Sequence, residues 1–180
     1  MAYAIRKTIT GAEIRRLRSG MKKSRKDFAE LLNISEKTLI RWELAKEPVG
    51  GPAVTLLKLI SERPDLVQAL EVPERTYPLR LWYMQGDEPC TVIDADERHR
   101  LVKIRNFTRD YMRCAFGRQE EPTYEDFEAW LESRCFPRSG DKMKLRLREL
   151  NLPFYDPMMI IEKTQGHMAE DTFWVKIERE

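Results

Sequence analysis

The sequence predicts an α-helical domain joined to an α+β domain, on the strength of three patterns. Between residues 11 and 70, apolar residues recur at spacings of three and four, which places them on one face of each of several short helices. From residue 79, short runs rich in β-branched and aromatic residues indicate β-strands. Helical spacing then returns before a final strand-like run. We predict five helices at 1–72, a linker at 73–78, and a small antiparallel sheet with about four helices at 79–180.

The first predicted helix spans Gly11 to Gly20, with Gly20 as its C-cap. Ile14 and Leu17 occupy its inner face. We expect its outer face to be basic, because it would hold Arg15, Arg16 and Arg18. Two interpretations of these arginines stay open at this point: they form a solvated helix face, or they contact phosphates.

Two short helical patterns between Ser24 and Glu43 meet across a break of three or four residues. Ser24 and Ser35 stand where helix N-caps belong, each followed by charged residues that suit a first turn. The apolar residues of these patterns are Phe28, Leu31, Leu32, Leu39 and Trp42. Two helices joined this closely form a helix-turn-helix, whose second helix can enter the major groove of DNA. A plain helical hairpin with a basic face is the alternative.

Two further helices are predicted to complete the first domain. A cluster of glycine and proline at 46–52 ends the second helix of the pair, and Pro52 suits the first turn of a helix through Ile60. Pro64 opens a last short helix. The apolar positions expected to face the core are Ala53, Leu56, Leu57, Ile60, Leu66, Val67 and Leu70.

The second domain is predicted to begin with a three-stranded meander and to end with one more strand. The three strands fall at 79–83, 91–93 and 101–104, with turns at 86–89 and 95–98. Helices are then predicted at 108–116, from Thr123 with Asp126 near the capping-box position, at 139–150 and at 156–166. We expect the last strand, at 173–177, to return to the meander.

Two groups of side chains in the second domain allow more than one interpretation. Its large aromatic residues are expected mostly in the core, and any that stay exposed would suit a protein interface; they are Trp82, Trp130, Phe136, Phe154 and Trp174. A basic stripe runs from Lys142 to Arg148. It is either a solvated helix face or a contact with DNA or with an acidic partner.

Charge is distributed unevenly along the chain. Residues 1–46 hold 12 Lys or Arg against 5 Asp or Glu, whereas residues 78–180 hold 17 against 20. The basic excess therefore falls on the predicted helix-turn-helix, where DNA phosphates would lie. No apolar run approaches the length of a membrane span, and the first ten residues lack a signal-peptide segment, so we expect a cytoplasmic protein with no membrane partner.

The pattern Phe28-Ala29, Leu32, Ile34-Ser35, Thr38 and Trp42-Glu43 resembles the phage-repressor or Xre type of helix-turn-helix protein. In that family the small alanine lets the two helices approach closely, and the threonine and the Trp-Glu pair fix the recognition helix. The resemblance implies a five-helix DNA-binding domain. Arg25 stands where the family often carries a glutamine. Its longer, cationic side chain could still clamp a DNA phosphate.

A second set of residues is similar to the end of the HigA-like antitoxin branch of these domains: Gly51-Pro52-Ala53, Leu56-Leu57, Ile60, Pro64, Leu66-Val67 and Ala69-Leu70. Together the two sets cover about residues 11–70. Members of that branch typically dimerise, bind a palindrome in their own promoter and inhibit a partner toxin. The resemblance therefore implies a homodimer, a palindromic double-stranded operator, and a toxin or other protein partner bound through residues 79–180.

The second domain loosely resembles small bacterial proteins that we associate with toxin–antitoxin-like gene neighbourhoods, to which we attach no biochemical activity. It shares with them the runs 131–137, 155–157 and 164–171.

Seven residues are predicted to contact DNA: Arg25, Lys26, Ser35, Glu36, Lys37, Thr38 and Arg41. We favour Arg41 and Lys37 as the residues that read bases. Arginine has the best shape for a bidentate contact with guanine, and Lys37 could bind either a base or a phosphate. Glu36 would accept from cytosine or only match the helix dipole.

Catalysis is not expected from this sequence, nor is a cofactor or a metal. His99 falls in a charged turn, and His167 lies near Lys163, Glu170 and Asp171 in what resembles a polar loop. No phosphate-binding glycine loop or nucleophile motif accompanies them, and the three cysteines, Cys90, Cys114 and Cys135, lack the spacing of a zinc site. We predict an antitoxin-like autoregulating repressor. The alternative is a phage or mobile-element regulator whose second domain senses a ligand or drives oligomerisation.

Overall fold

The computed structural model of the chain describes residues 4–139 and 142–179. They form two compact units, divided between Glu71 and Val72. The described residues contain eight α-helices and a four-stranded antiparallel sheet, which confirms the predicted combination of helices with an antiparallel sheet. None of the described helices is long and apolar enough to cross a membrane.

The first unit consists of short helices and one small strand pair. Its elements are β1 (Thr8–Ile9), α1 (Gly11–Gly20), α2 (Arg25–Leu31), α3 (Glu36–Leu44), β2 (Val49–Gly50), α4 (Pro52–Glu62) and α5 (Pro64–Leu70). β1 pairs antiparallel with β2, with Ile9 opposite Val49. The sequence did not predict this pair, because two residues are too few to show alternation.

Three details of the predicted helices in this unit are wrong. Gly20 is the last residue of α1 and not its C-cap, which is Met21; Lys22 supplies the left-handed residue that follows, with a φ of 55°. In α5, Val67 is buried, whereas the predicted core positions Leu66 and Leu70 are exposed.

The predicted core face of α4 is also shifted. The buried residues are Val54, Leu57 and Ile60, whereas Leu56 is exposed. Apolar residues occupy both faces of α4, so spacing alone did not fix its orientation.

The second unit is built on a sheet with the strand order β5-β4-β3-β6. The strands are β3 (Leu79–Gln85), β4 (Glu88–Asp96), β5 (Leu101–Asn106) and β6 (Phe173–Arg179). The first three form the predicted meander, and β6 pairs with β3, as Leu81 opposite both Ile93 and Ile177 shows. Each strand is longer than predicted, so the turns shrink.

Three α-helices and one 3₁₀ turn make up the rest of the second unit, as far as its residues are described. They are a 3₁₀ helix at Tyr111–Arg113, α6 (Tyr124–Ser133), α7 (Met143–Glu149) and α8 (Pro157–Thr164). Thr123 caps α6 with Asp126 in a capping box, as predicted. The helix predicted at 139–150 does not begin at Ser139 but at Met143, and residues 140 and 141 of that prediction lie outside the described residues.

The helix predicted at 108–116 is wrong, because this segment is held in a non-helical path by side chains. Asp110 accepts a hydrogen bond from the Met112 amide at 3.0 Å and caps a single 3₁₀ turn. The amide of Ala115 donates to the hydroxyl of Thr91 on β4, at 3.1 Å. A bond to the sheet replaces the bond that would continue a helix.

The two faces of the sheet differ in chemistry. One face packs against the helices in a core that includes Leu81, Ile93, Phe127 and Ile161. Side chains alternate between the two faces of a strand, so the residues between these core positions point to the other face. There Arg80 makes a buried, bidentate ion pair with Asp94, at 2.6 and 2.8 Å. The amide of Thr76 donates to the same carboxylate at 2.7 Å, which fastens the segment before β3 to the sheet.

Gly11 leads to a direct test of how α1 meets α3. A Cβ at this position would lie 2.5 Å from the carbonyl oxygen of Trp42 and 2.7 Å from that of Glu43, and backbone atoms cannot move aside cheaply. We expect Gly11→Ala to lower the free energy of unfolding by about 1–3 kcal/mol, measured by urea denaturation followed by circular dichroism.

Gly20→Ala is the matched control, because a Cβ at Gly20 meets nothing within 4 Å inside the same helix. It is expected to stabilise the protein by about 0.5–1 kcal/mol, since alanine loses less backbone entropy than glycine. Equal stability of the two variants would contradict the described contact between α1 and α3.

Candidate nucleic-acid interface

Helices α2 and α3 are joined by residues 32–35, and each begins with a serine cap. The Ser24 hydroxyl accepts a hydrogen bond from the Asp27 amide at 3.1 Å and donates one to the Asp27 carboxylate at 2.7 Å. Ser35 accepts one from the Thr38 amide at 3.1 Å. Asn33 turns the chain between them with a φ of 52°. Both predicted N-caps are confirmed, and they fix where α3 begins.

One face of α3 is buried against the rest of the unit. Leu39 has no exposed surface and belongs to the same core as Phe28 and Ala29 of α2. Ile40 and Trp42 are partly buried. The small side chain of Ala29, itself buried, leaves room for α3 to pack closely on α2.

Glu43 is the polar residue that fastens this face of α3. Its side chain has no exposed surface, and its two carboxylate oxygens accept hydrogen bonds from Arg18 Nε at 2.7 Å and Arg25 Nε at 2.9 Å. Arg15 donates to the backbone oxygen of the same residue at 3.3 Å. One carboxylate on α3 thus connects to arginines from both α1 and α2.

The protonation of Glu43 favours this arrangement. Burial alone raises the pKa of its carboxyl, but the hydrogen bonds from Arg18 and Arg25 outweigh burial and hold the pKa below its ordinary value. Glu43 is therefore ionised in the folded protein at neutral pH, and a buried charge of this kind is tolerated only because it is paired.

The opposite face of α3 is exposed and charged. Lys37 and Arg41 lie on it. Glu36 is also exposed, in the first turn, but it precedes Glu43 by two turns and is therefore on the same side of the helix as Glu43. Lys37 and Arg41 are four residues apart, so their side chains project from the same face, one turn after the other. Ser35 and Thr38 are the two hydroxyl residues predicted to contact DNA. Their hydroxyl oxygens lie 2.9 Å apart at the start of the helix, and both residues take part in the N-cap.

The basic residues of α1 and α2 fall into two groups. Arg16 and Lys26 are exposed. Arg25 is part exposed, although its Nε is bonded to Glu43. Arg18 was predicted on the outer face of its helix, and this is wrong: its side chain is only 14% exposed and pairs with Glu43 and with the Lys23 carbonyl. The ion pair with the buried carboxylate of Glu43, 25 residues away in the sequence, turns the Arg18 side chain inward.

The second unit holds both histidines and the charged residues near His167 in sequence, and their contacts are those of ordinary ion pairs and ring stacking. His99 contacts Asp96 at 2.7 Å in an exposed turn. His167 stacks on Trp174. Asp171 pairs instead with the buried Arg134, at 2.6 Å. Within residues 4–139 and 142–179, no group of three or more His, Cys, Asp or Glu side chains is placed to hold a metal.

The remaining candidates in the second unit are divided between core and surface. Cys90, Cys114 and Cys135 are free thiols, and burial raises the pKa of Cys135 to about 12. Trp130 is buried, whereas Phe154 is 59% exposed. The basic stripe on α7 is exposed at Lys144, Arg146 and Arg148.

Replacing the buried carboxylate gives a test of what holds α3. We expect Glu43→Gln to lower the free energy of unfolding by about 3 kcal/mol, because it leaves Arg18 and Arg25 without their counter-charge. Glu36→Gln makes the same chemical change at an exposed position in the first turn of α3 and is expected to cost less than about 1 kcal/mol. Thermal unfolding at pH 7 measures both, and similar losses would contradict the role of Glu43.

The same pair of variants carries a pH prediction. The pKa of Glu43 is lower in the folded than in the unfolded chain, so its contribution is present above the unfolded pKa of about 4.3 and is lost as the pH falls through the folded pKa. The stability gap between wild type and Glu43→Gln is therefore expected to close below about pH 4. A gap that stays constant down to pH 3 would contradict an ionised, paired Glu43.

Comparison with known proteins relates part of the chain to an antitoxin. No protein-family model matches the chain. Over 57 residues it is 42% identical to antitoxin HigA-2 of Vibrio cholerae serotype O1 (strain ATCC 39315 / El Tor Inaba N16961). This match takes in 32% of the chain and 55% of the relative, so the chain spans about half the length of the curated relative that it matches.

Proposed function

We propose that the chain is a sequence-specific DNA-binding repressor of the antitoxin type, which binds the major groove through α3. The observation that carries the proposal is the exposed face of α3, with Lys37 and Arg41, on a helix that is capped by Ser35 and fastened by Glu43. The similarity to an antitoxin supports the same proposal. In this view α2 and α3 are the helix-turn-helix of an Xre-type domain of five helices.

The dimensions of α3 suit this role. Helix α3 has nine residues. An α-helix with its side chains is about 10–12 Å across, and B-DNA has a major groove about 12 Å wide that admits it. Arg41 would read guanine with a bidentate contact, and Lys37 a base or a phosphate. Arg25 and Lys26 at the start of α2, together with Ser35, Glu36 and Thr38, complete the proposed DNA contact.

A single domain of this size reads only a few base pairs. Useful specificity then needs two half-sites about one helical turn apart, which implies a homodimer on a palindromic operator. We propose that this operator lies upstream of the chain's own gene, so that the protein represses its own synthesis.

The second unit is proposed to bind and neutralise a partner protein. The relative is named an antitoxin, and a toxin is the partner that such a name implies. Exposed apolar side chains in this unit suit a protein interface, among them Met112, Leu145 and Phe154.

A ligand-sensing regulator is the second candidate, and one observation favours it. The second unit has an open groove of about 360 Å³, lined in part by Phe136, Leu150, His167 and Glu170. A groove of this volume, with apolar and polar walls, lies in the range of small-molecule sites. A thermal shift with a metabolite that is lost in Leu150→Arg would support it, and no shift across a metabolite panel would count against it.

Arg41→Ala is expected to weaken binding to the DNA upstream of the gene by about 1–3 kcal/mol, roughly 5- to 150-fold. Fluorescence anisotropy with a labelled upstream fragment measures the affinity at fixed salt. Lys58→Ala is the matched control, because Lys58 is an exposed cation of the same unit on α4. Equal weakening in both variants would show a non-specific charge effect and would contradict base reading by Arg41.

Co-expression with the product of the neighbouring gene tests the second unit. We expect a stable complex with the full chain, and we expect Arg41→Ala to keep that complex while it loses DNA binding, because the two activities use different units. Failure to recover a complex with either neighbouring gene product would count against the antitoxin proposal and would leave the DNA-binding proposal intact.

A further inference from the structure

Strand β6 lies at an edge of the sheet and pairs with β3 on one side. The backbone groups on its other side can be identified. The Val175 amide donates to the Gln165 carbonyl at 2.7 Å, and the Phe173 carbonyl accepts from Arg134 at 3.1 Å, so these two residues direct their backbone groups away from β3. Backbone groups alternate in direction along a strand, and Ile177 and Arg179 therefore point outward as well.

The outer edge of β6 is covered over its first half and open over its second. Gln165 accepts from the Val175 amide, and Arg134 donates to the Phe173 carbonyl. Among the described residues, no hydrogen bond reaches the Val175 carbonyl, the Ile177 amide or carbonyl, or the Arg179 amide on this edge. A strand edge with unpaired backbone groups is a template for another strand.

Charge decides which strand fits there. Lys176 and Glu178 flank Ile177, and their side chains are 54% and 33% exposed. If a second copy pairs antiparallel about Ile177, each Lys176 lies opposite Glu178 of the other copy. Opposite charges in such a cross-strand pair stabilise it. The other edge strand, β5, fails this condition, because pairing about Ile104 would place Lys103 opposite Arg105.

We propose that β6 pairs antiparallel with β6 of a second copy of this chain, about a two-fold axis at Ile177. The two Ile177 residues exchange both of their backbone hydrogen bonds. The Arg179 amide of each copy donates to the Val175 carbonyl of the other, and the two sheets join into one of eight strands. This pairing does not depend on whether the chain binds DNA.

A contact of this kind is isologous, so it closes as a dimer and does not extend into a fibre. It involves only about five residues of each strand, which is small beside a stable interface of about 800 Å² per partner. We therefore expect the pairing to depend on protein concentration.

Amide hydrogen exchange of the full chain, followed by NMR, reads this edge directly. We expect the amides of Ile177 and Arg179 to exchange at least tenfold more slowly at high than at low protein concentration. The amides of Lys176 and Glu178 bond to β3 and are expected to stay protected throughout. The outward amides of Val102 and Ile104 on β5 are the reference for an open edge.

Lys176→Glu places two carboxylates opposite each other in the proposed pair and is expected to remove the slow exchange at Ile177. Lys103→Glu makes the same change on β5 and is expected to leave it unchanged. Exchange at Ile177 as fast as at Ile104 at every concentration would overturn the proposal. Slow exchange that depends neither on concentration nor on Lys176→Glu would also overturn it, because the edge would then be covered from within the chain.

Discussion

The buried carboxylate of Glu43 is the interaction on which the first unit depends. A lone charge without exposed surface is unfavourable, and this one exists only because Arg18 and Arg25 bring two charge-assisted hydrogen bonds to it. Those arginines come from α1 and α2, so a single side chain of α3 ties three helices together. A hydrophobic residue of similar size would fill the space but would not fix the rotation of α3 as strictly. The ion pairs of Glu43 fix the rotation of α3 about its axis, and this rotation places Lys37 and Arg41 on the exposed side.

The second unit uses the same kind of interaction for a different purpose. The Arg80–Asp94 pair lies on the face of the sheet opposite the helices, and Asp94 accepts from the Thr76 amide, so the pair holds the segment that leads into β3. Arg134 takes the corresponding place at the other end, where it binds Asp171 and the carbonyls of Gly166 and Phe173. These charges hold loops to a sheet whose apolar face is filled by α6, α7 and α8. Within the described part of the chain, nothing bonds to the outward backbone groups in the second half of the β6 edge, which is where the proposed pairing takes place.

Features encoded within a few residues could be predicted from the sequence, and features that depend on distant residues could not. The caps at Ser24, Ser35 and Thr123 follow from local spacing, because a cap binds an amide only three residues away. The inward direction of Arg18 depends on Glu43, and the loss of the helix at 108–116 depends on Thr91. Helix α4 shows a third limit, since apolar residues on all sides hide which face is buried. For the candidate site, spacing indicated the exposed Lys37 and Arg41 but not the pairing of Arg25.

Nuclease footprinting on the DNA upstream of the chain's own gene is the decisive measurement of binding by α3. We expect the intact protein to protect two half-sites about one helical turn apart, because each α3 of a dimer would enter one major groove on the same side of the duplex. We also expect protection to weaken steeply as salt rises, since the basic first unit releases counterions from phosphates. A protected, palindromic stretch would establish an autoregulator. No protection at low salt on that DNA would contradict the proposal that α3 reads the chain's own operator.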